Sequence, residues 1–321
     1  MEARSDKGQG RRRRGGAGGP SGILLVDKPI DVTSAGVVAR VRRVLGGVKA
    51  GHSGTLDPFA TGLLPLCLGE GTKLAGYLTD SDKSYEGVIR LGVRSDTHDM
   101  TGRVEEGGPV TSLDDAVLAT VAAEFQAISV QVPPSFSAIK IAGRPMYELA
   151  RRGEAPELEA RPVRVDRLEL HALDERRLSV TIDCAKGFYV RALARDLGDR
   201  LGCGAVLESL RRTRVGVLSA ESAVPLAEIM GPDGYERAVT AIIPLIEAAS
   251  HLRLVDVAPA DAADLRLGRQ QPLLRLGPAT GAGERIRIAA GEDLVAVAVA
   301  QGRVWTLERV FAPIKGSGTF S

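Results

Sequence analysis

Residues 51–65, Gly-His-Ser-Gly-Thr-Leu-Asp-Pro-Phe-Ala-Thr-Gly-Leu-Leu-Pro, constrain this chain more than any other stretch. Three glycines and two prolines fall within fifteen positions. Glycine permits tight turns and close approach of backbone to a ligand. Pro58 biases Asp57 towards an extended conformation. The outcome is a carboxylate on a rigid loop. Asp57 in that setting is compatible with four roles: nucleophile, general base, metal ligand or turn aspartate.

The flanking pattern is that of a packed α+β protein. Ile23–Val26 reads as a short buried strand, stopped by Asp27-Lys28-Pro29. Thr33 or Ser34 can cap a helix running to about Leu45, with Gly46 ending it. Val37, Val38, Val41, Val44 and Leu45 share one face of that helix, and Arg40, Arg42 and Arg43 fall outside it. Tyr85–Leu91 alternates as a strand, and 116–125 has helical spacing. Pro133-Pro134 breaks the chain, and Met146–Arg152 reads as a short basic helix. Leu178, Val180, Ile182 and Cys184 alternate as one buried strand face. After the Lys186-Gly187 turn, Val190, Leu193, Ala194, Leu197 and Leu201 line a helix with Arg191 at the edge of its apolar face. From about 252 to 312 the chain reads as a compact all-β unit, with 294–299 and 304–307 as a hairpin.

These elements predict a mixed, largely antiparallel sheet flanked by helices, followed by a small β-rich domain. The expected divisions are a disordered Arg/Gly-rich tail at 1–20, a large domain at 21–250, a small one at 251–312 and a C-terminal tail at 313–321.

Composition narrows the function classes. At 321 residues and 44% hydrophobic, the chain can bury a sizeable core. Its apolar runs are far short of the ~20 residues of a membrane helix, and no secretory signal stands at the N-terminus. A cytosolic protein with no membrane partner is expected. Cys67, Cys184 and Cys203 form no CxxC pair, and the four histidines are scattered. A zinc site or His-rich metal centre is therefore not expected. Net charge is +2 overall. Residues 1–20 hold six basic and two acidic side chains, so the rest is slightly acidic. Any case for nucleic-acid binding by the body must rest on local features.

The Gly51–Leu64 segment resembles the catalytic motif of TruB-type pseudouridine synthases. Further matches follow in the family's order. They are Leu24–Pro29, Ser81–Tyr85, Gln131–Pro134 with Ser137–Lys140, and Lys186–Arg191 with Asp196–Gly198. The resemblance spans about residues 22–217. It implies a pseudouridine synthase catalytic domain that isomerises uridine to pseudouridine in tRNA, at position 55 of the T loop. That reaction breaks the N1–C1′ bond of uridine, turns the base in the site and rejoins it through C5.

By the same resemblance Asp57 is the essential carboxylate, attacking C1′ or promoting elimination to a glycal. Both routes develop positive charge at C1′, which a carboxylate suits. Arg191 matches the family arginine that pairs with this aspartate, and a guanidinium can grip a carboxylate bidentately. Tyr85 matches the tyrosine that stacks on the target base and takes the C5 proton. His52 is expected to help hold the RNA and the flipped base. Lys28 either supports the loop or touches RNA. Lys140 and Tyr189 are expected to border the site. Leu210 matches an apolar position lining the uracil pocket, although core packing accounts for it equally.

Arg144, Arg151 and Arg152 lie where family members carry a mobile thumb over the RNA. The C-terminal region resembles a PUA-like RNA-binding domain, on Leu265–Gly268 and the 294–311 hairpin. Ala127 and Ser129 depart from the family's usual glycine and aliphatic residue. The implied partner is the T-arm of tRNA, with base flipping before reaction. No protein partner is implied, and a monomer is expected. No metal or organic cofactor is implied, because the reaction is redox-neutral and an aspartate supplies the nucleophile or base. Two alternatives stay open: a guide-RNA-dependent synthase subunit, and a tRNA-folding chaperone acting by RNA binding.

Overall fold

The computed structural model describes residues 19–111, 114–137, 140–141, 144–146, 149, 152, 154, 156 and 158–313. The N-terminal tail to residue 18, Arg151 and the C-terminal tail from 314 lie outside them, as does the side chain of Lys140. Only positions 146, 149 and 152 of the expected basic helix are described, together with 144 and 145 just before it.

A ten-stranded sheet organises the first 243 residues. Its main path runs Val165–Asp174, Arg177–Cys184, Lys83–Leu91, Ala205–Val215, Thr61–Leu68, Gly22–Lys28 and Val224–Pro225. Most neighbours are antiparallel. Ala205–Val215 pairs in parallel with Thr61–Leu68, and Gly22–Lys28 does so with Val224–Pro225. The parallel contact is short, Arg211 with Thr61 and Arg212 with Gly62. Gly62 permits it: φ is +94°, and a Cβ there would stand 2.3 Å from the carbonyl oxygen of Arg212.

Helices cover one face. Ser34–Val44 starts at Thr33, whose side chain accepts from the Gly36 amide, and buries Val37 and Val41 against Leu24, Val26, Leu64 and Leu66. Asp115–Gln126 and Val190–Arg200 pack over the other half of the sheet. Leu178, Val180, Ile182 and Cys184 all point into that core, as their alternation predicts.

The C-terminal unit carries a four-stranded sheet, Arg253–Asp256, Arg285–Ala290, Asp293–Gln301 and Val304–Val310 in that order. It is not all-β as the sequence pattern suggests. Pro259–Arg266 is a helix that buries Ala262 and Leu265, and Gln271–Arg275 is a 3-10 turn. The helix is only eight residues long, and Pro259 opens it at a position where its missing N–H costs nothing. So short a segment leaves little periodic signal. The unit has its own core around Ile286, Ile288, Val295 and Trp305. Leu294, Val297 and Phe311 pack instead with Ile23, Leu25 and Leu63 on the second face of the large sheet. Tyr77 donates to Glu308 at 2.7 Å, and Lys73 donates to the Val310 carbonyl at 2.7 Å, which closes the contact.

Candidate active site

The segment from Ser53 to Ala60 crosses the helix-covered face as a loop with a support at almost every step. Ser34 Oγ, at the start of a helix, accepts from the Leu56 amide and donates to the Leu56 carbonyl. Lys28 Nζ and the Asp31 amide both donate to the Pro58 carbonyl, at 3.0 and 2.9 Å. Arg212 donates to the Gly54 carbonyl at 3.1 Å. Asp31 itself has φ +61°, an uncommon conformation for a non-glycine residue. Asp57 therefore stands on a fixed backbone, and 37% of its side-chain surface is open.

Arg191 enters from the first turn of Val190–Arg200. Its Nε lies 2.9 Å from Asp57 Oδ2 and 3.7 Å from Asp99 Oδ2. The two terminal nitrogens donate to the carbonyls of Thr97 and Phe136, at 2.9 and 2.8 Å. The expected bidentate grip on Asp57 is thus absent. One N–H serves the carboxylate, and the other two lock the guanidinium to the backbone. Arg191 is 5% exposed, so it lies inside the core and not at the helix edge. Crowding by protein pushes the Asp57 carboxyl above the ordinary aspartate range, and Arg191 pulls it partly back. Asp57 still keeps a third of its surface in contact with solvent, which limits that rise.

Asp99 is a member of this network that sequence reading missed. It is 3% exposed and accepts from Thr97 Oγ1 and the Thr101 amide. The only prior signal is the Thr97-His98-Asp99-Met100-Thr101 spacing, which reads as an ordinary polar turn. His98 beside it adopts φ +60°. Backbone strain of this kind gathers where surrounding structure holds a functional geometry.

Lys28 is corrected. As a substrate-binding residue it would need an open ammonium, but the side chain is 0% exposed. Its Nζ donates to the carbonyls of Pro29, Val32 and Pro58, at 2.9, 2.6 and 3.0 Å. Of the two roles open to it, the structure places it under the loop. Burial lowers its pKa to about 8, against the attraction of Asp57 and Asp31.

His52 is half-buried at the end of the Ala50–His52 strand. Its Nδ1 is buried without a hydrogen-bond partner. Burial, then the charge of Arg212, lowers its pKa, so the ring is neutral at pH 7. Tyr85 is half-buried in Lys83–Leu91, directly across the strand pair from Arg212. Burial raises its pKa, with Arg212 acting in the opposite direction. Tyr189 precedes the Arg191 helix, and its backbone exchanges two hydrogen bonds with the Gln131 side chain. Leu210 is 8% exposed and packs in the cluster that holds Phe59 and Tyr85. Core packing and the edge of the site are the same place for this residue. Lys140 lies in a two-residue strand paired with Arg144–Pro145, and Arg144 and Arg152 are exposed.

The arrangement brings Asp57, Arg191, Tyr85, His52 and Leu210 onto one face around one loop. A partly open carboxylate with an aromatic ring nearby can meet a flat, uncharged base and a cationic sugar carbon. Among the described residues, no group of three or more His, Cys, Asp or Glu is arranged to hold a metal ion. Among the same residues, no helix is long and apolar enough to cross a membrane.

The chain is also similar to known proteins. The family model "TruB family pseudouridylate synthase (N terminal domain)" matches residues 42–190, and "tRNA pseudouridylate synthase B C-terminal domain" matches 191–238. A Burkholderia lata protein named tRNA pseudouridine synthase B is 42% identical over 290 residues, covering 90% of this chain and 89% of its own. A Sodalis glossinidius protein of the same name is 43% identical over 254 residues, covering 77% and 81%. Among solved structures, a chain of a Cbf5–Nop10–Gar1 complex superposes with TM-score 0.70 at 26% identity, covering 91% of this chain and 85% of that one. With both family models matched in order and relatives aligned over nine-tenths of its length, the chain belongs to the TruB family of pseudouridylate synthases.

Proposed function

We propose that this protein isomerises uridine to pseudouridine in tRNA, at position 55 of the T loop, as a stand-alone cytoplasmic enzyme. The observation that carries the reading is the Asp57 carboxylate, open to a ligand on one side and held by a buried arginine on the other. The names of the relatives supply the tRNA substrate.

In this reading the target uridine leaves its stack and enters the face between Tyr85, Leu210 and the 51–58 loop, at a cost of a few kcal/mol. Asp57 faces C1′ as the glycosidic bond breaks, where a carboxylate stabilises oxocarbenium character and can form a sugar ester. Arg191 keeps that carboxylate aimed and leaves one of its oxygens free of Nε. Tyr85 offers a ring face to the loose base, which can rotate against it without losing contact. His52, neutral at physiological pH, serves as a contact for RNA or base and not as a general base. Tyr189 borders the same opening. Asp57 is already a competent anion, so the chemistry requires no metal or organic cofactor. The 251–312 unit extends the RNA footprint as a PUA-like module, and the protein acts as a monomer.

Two alternatives differ in what they need. The likeness to a chain from a Cbf5–Nop10–Gar1 complex favours a guide-dependent subunit, but at 26% identity against 42% for the relatives named as tRNA enzymes. A chaperone would need RNA binding and no chemistry. The test is incubation of the protein alone with an unmodified tRNA transcript. Carbodiimide labelling and primer extension then map pseudouridine. A stop at position 55, without guide RNA or added protein, is the expected result. Tight tRNA binding with no modified nucleoside would overturn the reading in favour of an alternative.

A further inference from the structure

Arg212 takes no part in the chemistry described so far, yet it is among the largest fully buried side chains, at 1% exposure. A guanidinium at that depth is ordinarily matched by a carboxylate. Arg191 has two carboxylates nearby, at 2.9 and 3.7 Å. Arg212 donates instead to the carbonyls of Leu63 and Gly54, at 2.8 and 3.1 Å, and Tyr85 lies directly across the strand pair from it. Among the described residues, no Asp or Glu pairs with it.

The sheet sets the two side chains next to each other. Tyr85 and Arg212 are direct partners on antiparallel strands, between register shifts at Leu207/Ser209 and Arg212/Arg214. The first shift turns Leu210 and Arg212 onto the face that carries the catalytic loop. Holding two carbonyls needs only neutral donors. A permanent charge buried without a counter-ion is costly, so its presence points to negative charge that arises during turnover. Arg212 is also the strongest influence opposing the rise that burial imposes on the Tyr85 phenol.

We propose that Arg212 is a positioning residue for the final proton transfer: it holds the Tyr85 hydroxyl and stabilises the negative charge on that oxygen as it takes the proton from C5. The inference rests on the isomerase reading above. After C5 has bonded to C1′, C5 carries both the sugar and its original hydrogen. The C5–H bond breaks, and its electron pair restores the C5=C6 double bond and moves density to N1. The proton passes to Tyr85 Oη. The phenol's own proton leaves to solvent before this step and N1 takes one from solvent after it, so protons and electrons balance and the phenol is regenerated.

The step can be isolated with two substrates in single turnovers. One is tRNA tritiated at uridine C5, which reports the proton loss. The other carries 5-fluorouridine at the target and has no C5 proton, so its consumption reports glycosidic cleavage alone. Arg212→Met is expected to slow tritium release about 100-fold, the scale of general-base catalysis. Loss of the Gly54 and Leu63 carbonyl contacts also loosens the loop, so consumption of the fluorinated tRNA should slow as well, by about tenfold, and the excess loss in tritium release is the signature of the proton step. A C5-deuterium isotope effect should appear in the variant. Added to Tyr85→Phe, Arg212→Met should produce no further loss. Arg212→Lys, which keeps the charge, should show the same split at about a tenfold amplitude, and it decides the matter if the Met variant does not fold. Equal slowing on both substrates, or unimpaired tritium release, would overturn the proposal. Wild-type protein that releases no tritium at all would instead refute the isomerase reading.

Discussion

Replacing Lys28 with methionine keeps the length of the side chain and removes its charge. Three carbonyls, of Pro29, Val32 and Pro58, then lose their donor in a place water does not reach. Hydrogen bonds to a charged group are worth about 1.5–3 kcal/mol each, or roughly 6 kcal/mol for the set. Against this stands the cost of keeping the ammonium out of water. The drop in pKa from 10.5 to about 8 puts that cost near 3 kcal/mol, at about 1.4 kcal/mol per unit. The net loss is about 3 kcal/mol, which lowers Tm by about 6–12 °C in a domain of this size. The Pro58 carbonyl also holds the residue next to Asp57, and a displacement of about 1 Å there costs on the order of 100-fold in kcat. The pH signature is distinctive. Folded Lys28 releases its proton at lower pH than the unfolded chain does. Between pH 8 and 10.5 the unfolded state therefore binds more protons, and wild-type stability rises with pH. The variant lacks that contribution. Lys83, also lowered to about 8, is present in both proteins and cancels in the difference. Urea unfolding of the two proteins should show the stability gap widening across this window. A constant or narrowing gap, or a Tm change within about 1 °C, would refute the reasoning.

Four further outcomes are expected. The kcat/KM profile should fall on the acid side at a pH above the ordinary aspartate value, because burial raises the Asp57 carboxyl; stopped-flow or quench measurements from pH 4 upward would show it. The same rise makes ionised Asp57 a cost to the fold, so Asp57→Asn should melt no lower than wild type by calorimetry while losing activity. Arg191→Ala leaves Asp99 buried without its cation, and chemical denaturation should record a loss of about 3–5 kcal/mol together with the activity. Gly62→Ala places a methyl against the Arg212 carbonyl and forces a left-handed φ on alanine. A loss beyond about 3 kcal/mol is expected by thermal melt.

Much of this site is legible in the sequence because its parts are local. The 51–58 loop announces itself through glycine and proline, and alternation in 178–184 faithfully reports one buried face. What stays hidden depends on contacts distant along the chain. Arg191 sits at the margin of its helix's apolar stripe, and only the packing of Asp57, Thr97 and Phe136 around it makes the position buried. Lys28 reads as the polar end of a strand, yet three carbonyls close over its ammonium. Arg212 belongs to a run, Leu210-Arg211-Arg212-Thr213-Arg214, that reads as solvent-facing charge. A register shift, invisible to simple alternation, turns one of those arginines inward. The C-terminal helix was missed for a related reason: eight residues supply two buried positions, too few for a period to declare itself.

The most direct test of the account is tritium release from tRNA labelled at uridine C5, with wild type beside Asp57→Asn and neither metal nor guide RNA added. Rejoining the base through C5 expels that hydrogen, and the proposed mechanism has Asp57 open the reaction. Release by wild type and none by a folded, tRNA-binding Asp57→Asn is the predicted result. Release by both proteins, or by neither, would contradict it.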